Sequence, residues 1–138
     1  MKEREYIRKR VHELYWRYNK NCAITTLTIL SEMFDVEIND QVYSAAIGMY
    51  GAGGHGGQCG LVEGTLLLLG ILGKLKNFDE ESIVNTCFQY ADAFKNEFGS
   101  LLCSQLRPEG FKETNPSHLC EKLSVDSIYF SYNFIKDI

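Results

Sequence analysis

The chain has 138 residues, 45% of them hydrophobic and 23% charged, with a net charge of −4. That length and apolar content suit one domain with a single core, so residues 1–138 are read as one unit. The acidic balance argues against phosphate neutralisation, and no nucleic-acid partner is expected.

The chain opens with Lys2, Arg4, Arg8, Lys9 and Arg10 interleaved with Glu3, Glu5 and Glu13, the pattern of a solvated helix face. Ile7, Val11, Leu14, Tyr15 and Tyr18 recur at steps of three and four, which predicts an amphipathic helix over residues 2–18. Asn21 is the expected N-cap of a second helix with Ala23, Ile24, Leu27, Leu30 and Phe34 on one face. A short helix over 40–49 leads into Gly48-Met-Tyr-Gly-Ala-Gly-Gly-His-Gly-Gly-Gln-Cys-Gly60, the densest glycine stretch of the chain.

Residues 59–75 are apolar nearly all round, which predicts a buried central helix containing Gly60, Gly64, Gly70 and Gly73, glycines that let neighbouring helices approach closely. Asp79 or Asn77 caps the next helix, whose stripe is Ile83, Val84, Cys87, Ala91, Phe94 and Phe98. Gly99 fits its C-terminal stop and Ser100 a new N-cap. Asn115-Pro116 repeats the start signal with proline at the first helical position. In the tail, Val125, Ile128, Tyr129 and Tyr132 favour helix; its aromatic residues either close the bundle or cover a homodimer interface. The expected fold class is all-α: a compact helical bundle around the buried 59–75 helix, with a glycine-rich loop before it.

The first 20 residues lack the apolar core of a signal peptide, and the run from Leu61 to Leu75 is too short to span a bilayer. A cytoplasmic location without a membrane span is therefore expected, where thiols stay reduced unless they are catalytic or ligate metal.

The chain has five cysteines. Cys22, Cys59, Cys103 and Cys120 all fall at expected helix starts, whereas Cys87 sits inside a helix on its apolar face and reads as a small core residue. Unpaired N–H groups and the positive end of the dipole favour a thiolate at a helix start, so lowered pKa values are expected there, with Cys59 the leading nucleophile. The glycines before Cys59 suggest either a nest of amides around an anion or a close approach that brings a second cysteine against it. Gly57, Gly60 and Gly64 are supporting residues in this reading, and His55 is a candidate base or donor near Cys59.

Rival readings of the loop are weaker. Gly51-Ala-Gly-Gly-His-Gly56 satisfies G-x-G-x-x-G, but the preceding segment reads as helix rather than strand, and no lysine occupies a P-loop position. The close ligand pairs of zinc modules and the G-x-S-x-G elbow of serine hydrolases are missing. A Cys59/His55 papain-like pair has no specific support. Four scattered thiolates can still assemble around an iron–sulfur cluster or another metal, so Cys22, Cys59, Cys103 and Cys120 are also candidate metal ligands.

Cys59-Gly60-Leu61-Val62-Glu63-Gly64 resembles the CGAxxG motif of a family of redox-active proteins labelled C_GCAxxG_C_C. Cys22 matches the cysteine upstream of the motif, and Cys103 and Cys120 the two downstream; Cys87 is extra. Leu61 stands where the motif has alanine. The resemblance implies a redox role and an association with transport systems in bacteria or archaea. Three readings are open, the third being a helical accessory or interaction protein in which the cysteines are incidental. In the first, the cysteines exchange disulfides with a redox partner protein or a small thiol/disulfide substrate and need no cofactor. In the second, they hold an iron–sulfur cluster or metal ion.

Overall fold

The computed structural model describes residues 2–107, 110, 112 and 116–138. In chain order the helices are α1 (Lys2–Trp16), α2 (Cys22–Met33), α3 (Asp40–Ala45), the four-residue turn α4 (Gly51–Gly54), α5 (Gly60–Leu75), α6 (Glu80–Phe98), α7 (Cys103–Leu106), a 3-10 turn (Ser117–Cys120) and α8 (Glu121–Ile135). Among the described residues the fold is all-α, with one isolated antiparallel bridge between Gln58 and Leu102.

Local chemistry sets most of these boundaries. The Asn21 side chain accepts from Ile24 N–H at 2.8 Å and starts α2; Asp79 does the same for α6 through Ser82 N–H at 2.7 Å. Gly99, at φ +95°, ends α6 in the left-handed conformation that glycine adopts without a Cβ penalty. The tail is helical as α8. Several expectations differ: α7 starts from Leu102 rather than from a Ser100 cap, the Ser100 hydroxyl accepting from Leu102 N–H at 3.0 Å; Val84 of the expected α6 stripe is exposed; and Tyr18 lies beyond the end of α1, also exposed. The helix over 40–49 stops at Ala45 and runs on as turns, and Pro116 caps the 3-10 turn rather than occupying its first position. The Asn115 start signal lies outside the described residues.

One apolar cluster draws Ile7, Val11 and Leu14 from α1, Leu27 and Leu30 from α2, Leu61, Leu68 and Leu69 from α5, and Ile128 and Ile135 from α8, with Tyr90 and Phe94 of α6. The aromatic tail joins it: the Phe134 ring meets Tyr90 edge-on at 5.3 Å, and Phe130 meets Phe98 at 5.5 Å. Both Phe130 and Phe134 are half-buried against the bundle.

The most extensive helix pair is α2 on α5, and glycine permits it. A Cβ at Gly64 would come within 2.5 Å of the Ala23 carbonyl oxygen, and one at Gly73 within 2.6 Å of Ile83 on α6. Gly70 is different: nothing lies within 4 Å of the place its Cβ would take, so this glycine serves no close approach.

Candidate functional site

All four family cysteines stand at helix starts. Cys22 is the first residue of α2, Cys59 is the N-cap of α5, Cys103 is the first residue of α7, and Cys120 is the N-cap of α8. Three packing features gather Cys22, Cys59 and Cys103.

The first is the contact between α2 and α5. A Cβ on Gly60 would sit 2.2 Å from the Cys22 sulfur and 2.9 Å from the Ala23 nitrogen, so the missing side chain is the space into which the Cys22 thiol fits. Asn21 reinforces the junction by donating to the Ile47 carbonyl at 2.8 Å.

The second is a short antiparallel pairing of 56–59 with 101–104. Cys59 N–H donates to Leu101 O at 2.8 Å, Cys103 N–H to Gly57 O at 2.8 Å, and Ser104 N–H to Gly56 O at 3.3 Å. Cys59 and Cys103 each follow a residue of the Gln58–Leu102 bridge, and strand alternation turns both to the side opposite those two.

The third is the glycine loop itself. Gly51, Ala52, Gly53 and Gly54 have φ of +70°, +58°, +69° and +87°, a left-handed turn that an ordinary sequence would adopt only with strain. The turn closes on its own backbone: Gly53 N–H donates to Gly48 O, Gly54 N–H to Tyr50 O, and the Gly56 and Gly57 N–H groups both to Gly51 O, at 2.9–3.1 Å. These amides are therefore occupied, and the expected nest around an anion does not form. The close-approach alternative fits instead, because a Cβ on Gly51 would meet the Cys103 Cβ at 3.0 Å and its sulfur at 3.4 Å. Gly57 contributes its carbonyl to Cys103, while a Cβ there would make only ordinary contacts, from 3.4 Å.

Burial decides how these thiols ionise. Burial pushes the Cys22 thiol well above its usual 9.0, and Cys59, Cys103 and Cys120 each push it further. Burial likewise raises Cys59 to about 12; the Leu61 and Val62 amides pull the other way, and Cys103 and Cys120 add to the rise. The expectation of lowered values is overturned for these two. A helix start favours an anion by about 0.3–1 kcal/mol, rarely 2, whereas removing a thiolate from water costs more. Cys59 is 5% exposed, so it is not a ready nucleophile in this conformation. Cys22, Cys103 and Cys120 are half-buried. Cys87, half-buried on α6, is raised by burial alone, with no sister thiol contributing.

His55 is exposed at the end of the glycine turn and closes no pair with Cys59. His118 stacks on Trp16 at 4.0 Å, and His12 faces Glu121 at 2.9 Å. Among the described residues, no group of three or more His, Cys, Asp or Glu side chains could hold a metal ion. The four thiols are thus not arranged as a metal-ligand group among the described residues. No described helix is long and apolar enough to cross a membrane.

Residues 20–133 match the family model described as "Putative redox-active protein (C_GCAxxG_C_C)". The chain belongs to this family. Its name ties the chain to redox activity, and the matched segment contains all four family cysteines. No curated protein and no solved structure matches the chain.

Sequence reasoning missed two members of the site. Gly51 carried a signal in the glycine density, but nothing marked it as the neighbour of Cys103. Tyr15 looked like one more apolar position on α1, yet its hydroxyl is within electrostatic range of Cys22, Cys120 and Cys59.

Proposed function

We propose that this protein is a thiol–disulfide exchange protein that oxidises and reduces a cysteine pair built from Cys103 and Cys59, with Cys22 and Cys120 as neighbouring thiols. The observation that carries this reading is geometric: the Cys22 sulfur fills the space beside Gly60, the residue after Cys59, and backbone pairing lays the Cys103 segment against the Cys59 segment. The backbone pairing that flanks Cys59 and Cys103 supports their choice as partners.

The half-buried Cys103 is the entry thiol. Its thiolate attacks one sulfur of a substrate disulfide, forming a mixed disulfide and releasing one substrate thiolate, which takes up the proton Cys103 gave to water. Cys59 then attacks the Cys103 sulfur. The Cys59–Cys103 bond forms, the mixed disulfide breaks, and the Cys59 proton ends on the second substrate thiol. The protein loses two electrons and the substrate disulfide gains them. The substrate is a disulfide on a partner protein, such as a transport-system component, or a small disulfide. The whole chain works as one domain, in the cytoplasm, where a reducing pool resets the pair.

Alkylation and mass spectrometry across a glutathione titration test this. A reversible Cys59–Cys103 disulfide is expected, and the Cys59→Ser variant is expected to accumulate a mixed disulfide at Cys103. If no pair among Cys22, Cys59, Cys103 and Cys120 forms at any ratio, the reading is wrong.

A further inference from the structure

The central helix α5 is covered on three sides. Gly64 meets Ala23 and Thr26 of α2, the Thr65 hydroxyl bonds Ser131 of α8 at 3.0 Å, and Gly73 lies under Ile83 of α6. The fourth side is open. Glu63, Leu66, Leu67, Gly70 and Ile71 are half-buried and Lys74 is exposed, at the steps of three and four that put them on one helix face. Among the described residues, nothing lies within 4 Å of the place a Gly70 Cβ would take, so the middle of this stripe is bare. Its four central positions are apolar or glycine, where a surface helix carries polar residues on its solvent side.

The stripe is complementary to itself. With two copies antiparallel and centred between Leu68 and Leu69, Glu63 faces the partner's Lys74, Leu66 faces the partner's Ile71, and Leu67 faces the partner's Gly70. We propose that this face of α5 pairs with the same face of a second copy of this chain, forming an antiparallel homodimer. A two-fold interface uses one patch on both subunits, and each of these pairings then occurs twice. Leu67 fills the hollow left by the missing Cβ opposite it. The oppositely charged ends fix the direction, because parallel pairing would set like charges side by side. The Gln58 amide donates to one oxygen of the Glu63 carboxylate and orients it at the end of the stripe. Cys59 caps α5 one turn before Glu63, so the two thiol sites lie at opposite ends of the pair, and the pairing does not depend on the exchange reading. A single helix pair buries less than the roughly 1,200 Å² of a standard interface, so a reversible dimer is expected, in the micromolar range.

Sedimentation velocity of the full chain in reducing buffer, from about 1 μM to about 1 mM, tests this, the reductant removing any disulfide-linked pair. A concentration-dependent shift from monomer to dimer is expected. Ile71→Gln, at the centre of the stripe, is expected to weaken the dimer about tenfold. Glu63→Lys and Lys74→Glu are each expected to weaken it several-fold, because each sets like charges opposite one another at both ends. An equimolar mixture of those two variants is expected to recover association as a mixed dimer, since every end pair is then opposite in sign. That recovery also tells a lost interface from a misfolded chain. A chain that stays monomeric throughout the range overturns the proposal and leaves the face to a different protein. A dimer that Ile71→Gln leaves at full strength, or a mixture of the charge variants no stronger than either alone, overturns it as well.

Discussion

The sulfur of Cys22 occupies the space that a side chain on Gly60 would need, 2.2 Å from the position of its Cβ. The glycine after Cys59 is thus explained by a cysteine 38 residues earlier in the sequence, and the two helix starts are bound to one another through a missing methyl group.

The contrast with Gly70 makes this measurable. Gly60→Ala is expected to cost about 2–3 kcal/mol, because the Met49 oxygen at 2.8 Å and the Ala23 nitrogen at 2.9 Å are backbone atoms that cannot swing aside. Gly70→Ala, on the same helix with open space around it, is expected to stabilise by about 0.5–1 kcal/mol through helix propensity. Urea unfolding midpoints of the two variants check this. Equal effects would mean that α2 and α5 do not meet this closely.

Alkaline pH should weaken the fold. Cys59 is raised in the folded chain to about 12 from 9.0, and burial moves Cys22, Tyr15 and Tyr90 the same way. Above pH 9 the unfolded chain loses the Cys59 proton while the folded chain keeps it. The unfolded state then binds fewer protons, and stability falls by about 1.4 kcal/mol per pH unit for each such group. Under reducing conditions, denaturation from pH 7 to 10.5 should show a plateau and then a decline. Cys59→Ser should make that decline shallower by about one proton's worth. A curve that stays flat past pH 10 would mean that the thiols ionise inside the fold.

Much of the architecture was legible from local chemistry. Asn21, Asp79 and Gly99 mark helix ends by what their own side chain or backbone does within three residues, and those boundaries follow directly. The place of Cys22 at a helix start was legible for the same reason, whereas Cys59, Cys103 and Cys120 stand at starts that no side chain caps. Long-range geometry was not. A single bridge at Gln58 and Leu102 leaves no alternating pattern to read. Gly64 and Gly70 look alike along the chain, and only the helix opposite distinguishes them. The raised thiols of Cys22 and Cys59 depend on burial, which sequence position at a helix start does not report, and so the dipole argument gave the wrong sign.

Cys87 offers a control within the same molecule. Its thiol is shifted by burial alone, and Cys87 itself packs half-buried against the core. Cys87→Ala is expected to leave the pattern of reversible disulfides unchanged in a glutathione titration, at a stability cost of about 1 kcal/mol or less. A disulfide that vanishes with Cys87 would transfer the redox role from the helix-start set to α6.

The glycine turn can be dissected in the same way, because its residues share one backbone conformation and differ in their surroundings. Gly53 at φ +69° has open space where a Cβ would go, so Gly53→Ala is expected to cost only the backbone term, about 1–2 kcal/mol, with exchange at Cys103 unaffected. Gly51 at φ +70° carries the same backbone term and also meets the Cys103 Cβ at 3.0 Å. Gly51→Ala is therefore expected to cost more than Gly53→Ala and, unlike it, to change the alkylation rate of Cys103 several-fold as that side chain is displaced. Thermal melts and thiol-labelling rates separate the two effects. If both variants label Cys103 alike, the turn serves only to reverse the chain; if Gly51→Ala alone alters labelling, the left-handed turn exists to seat the Cys103 thiol beside Cys59.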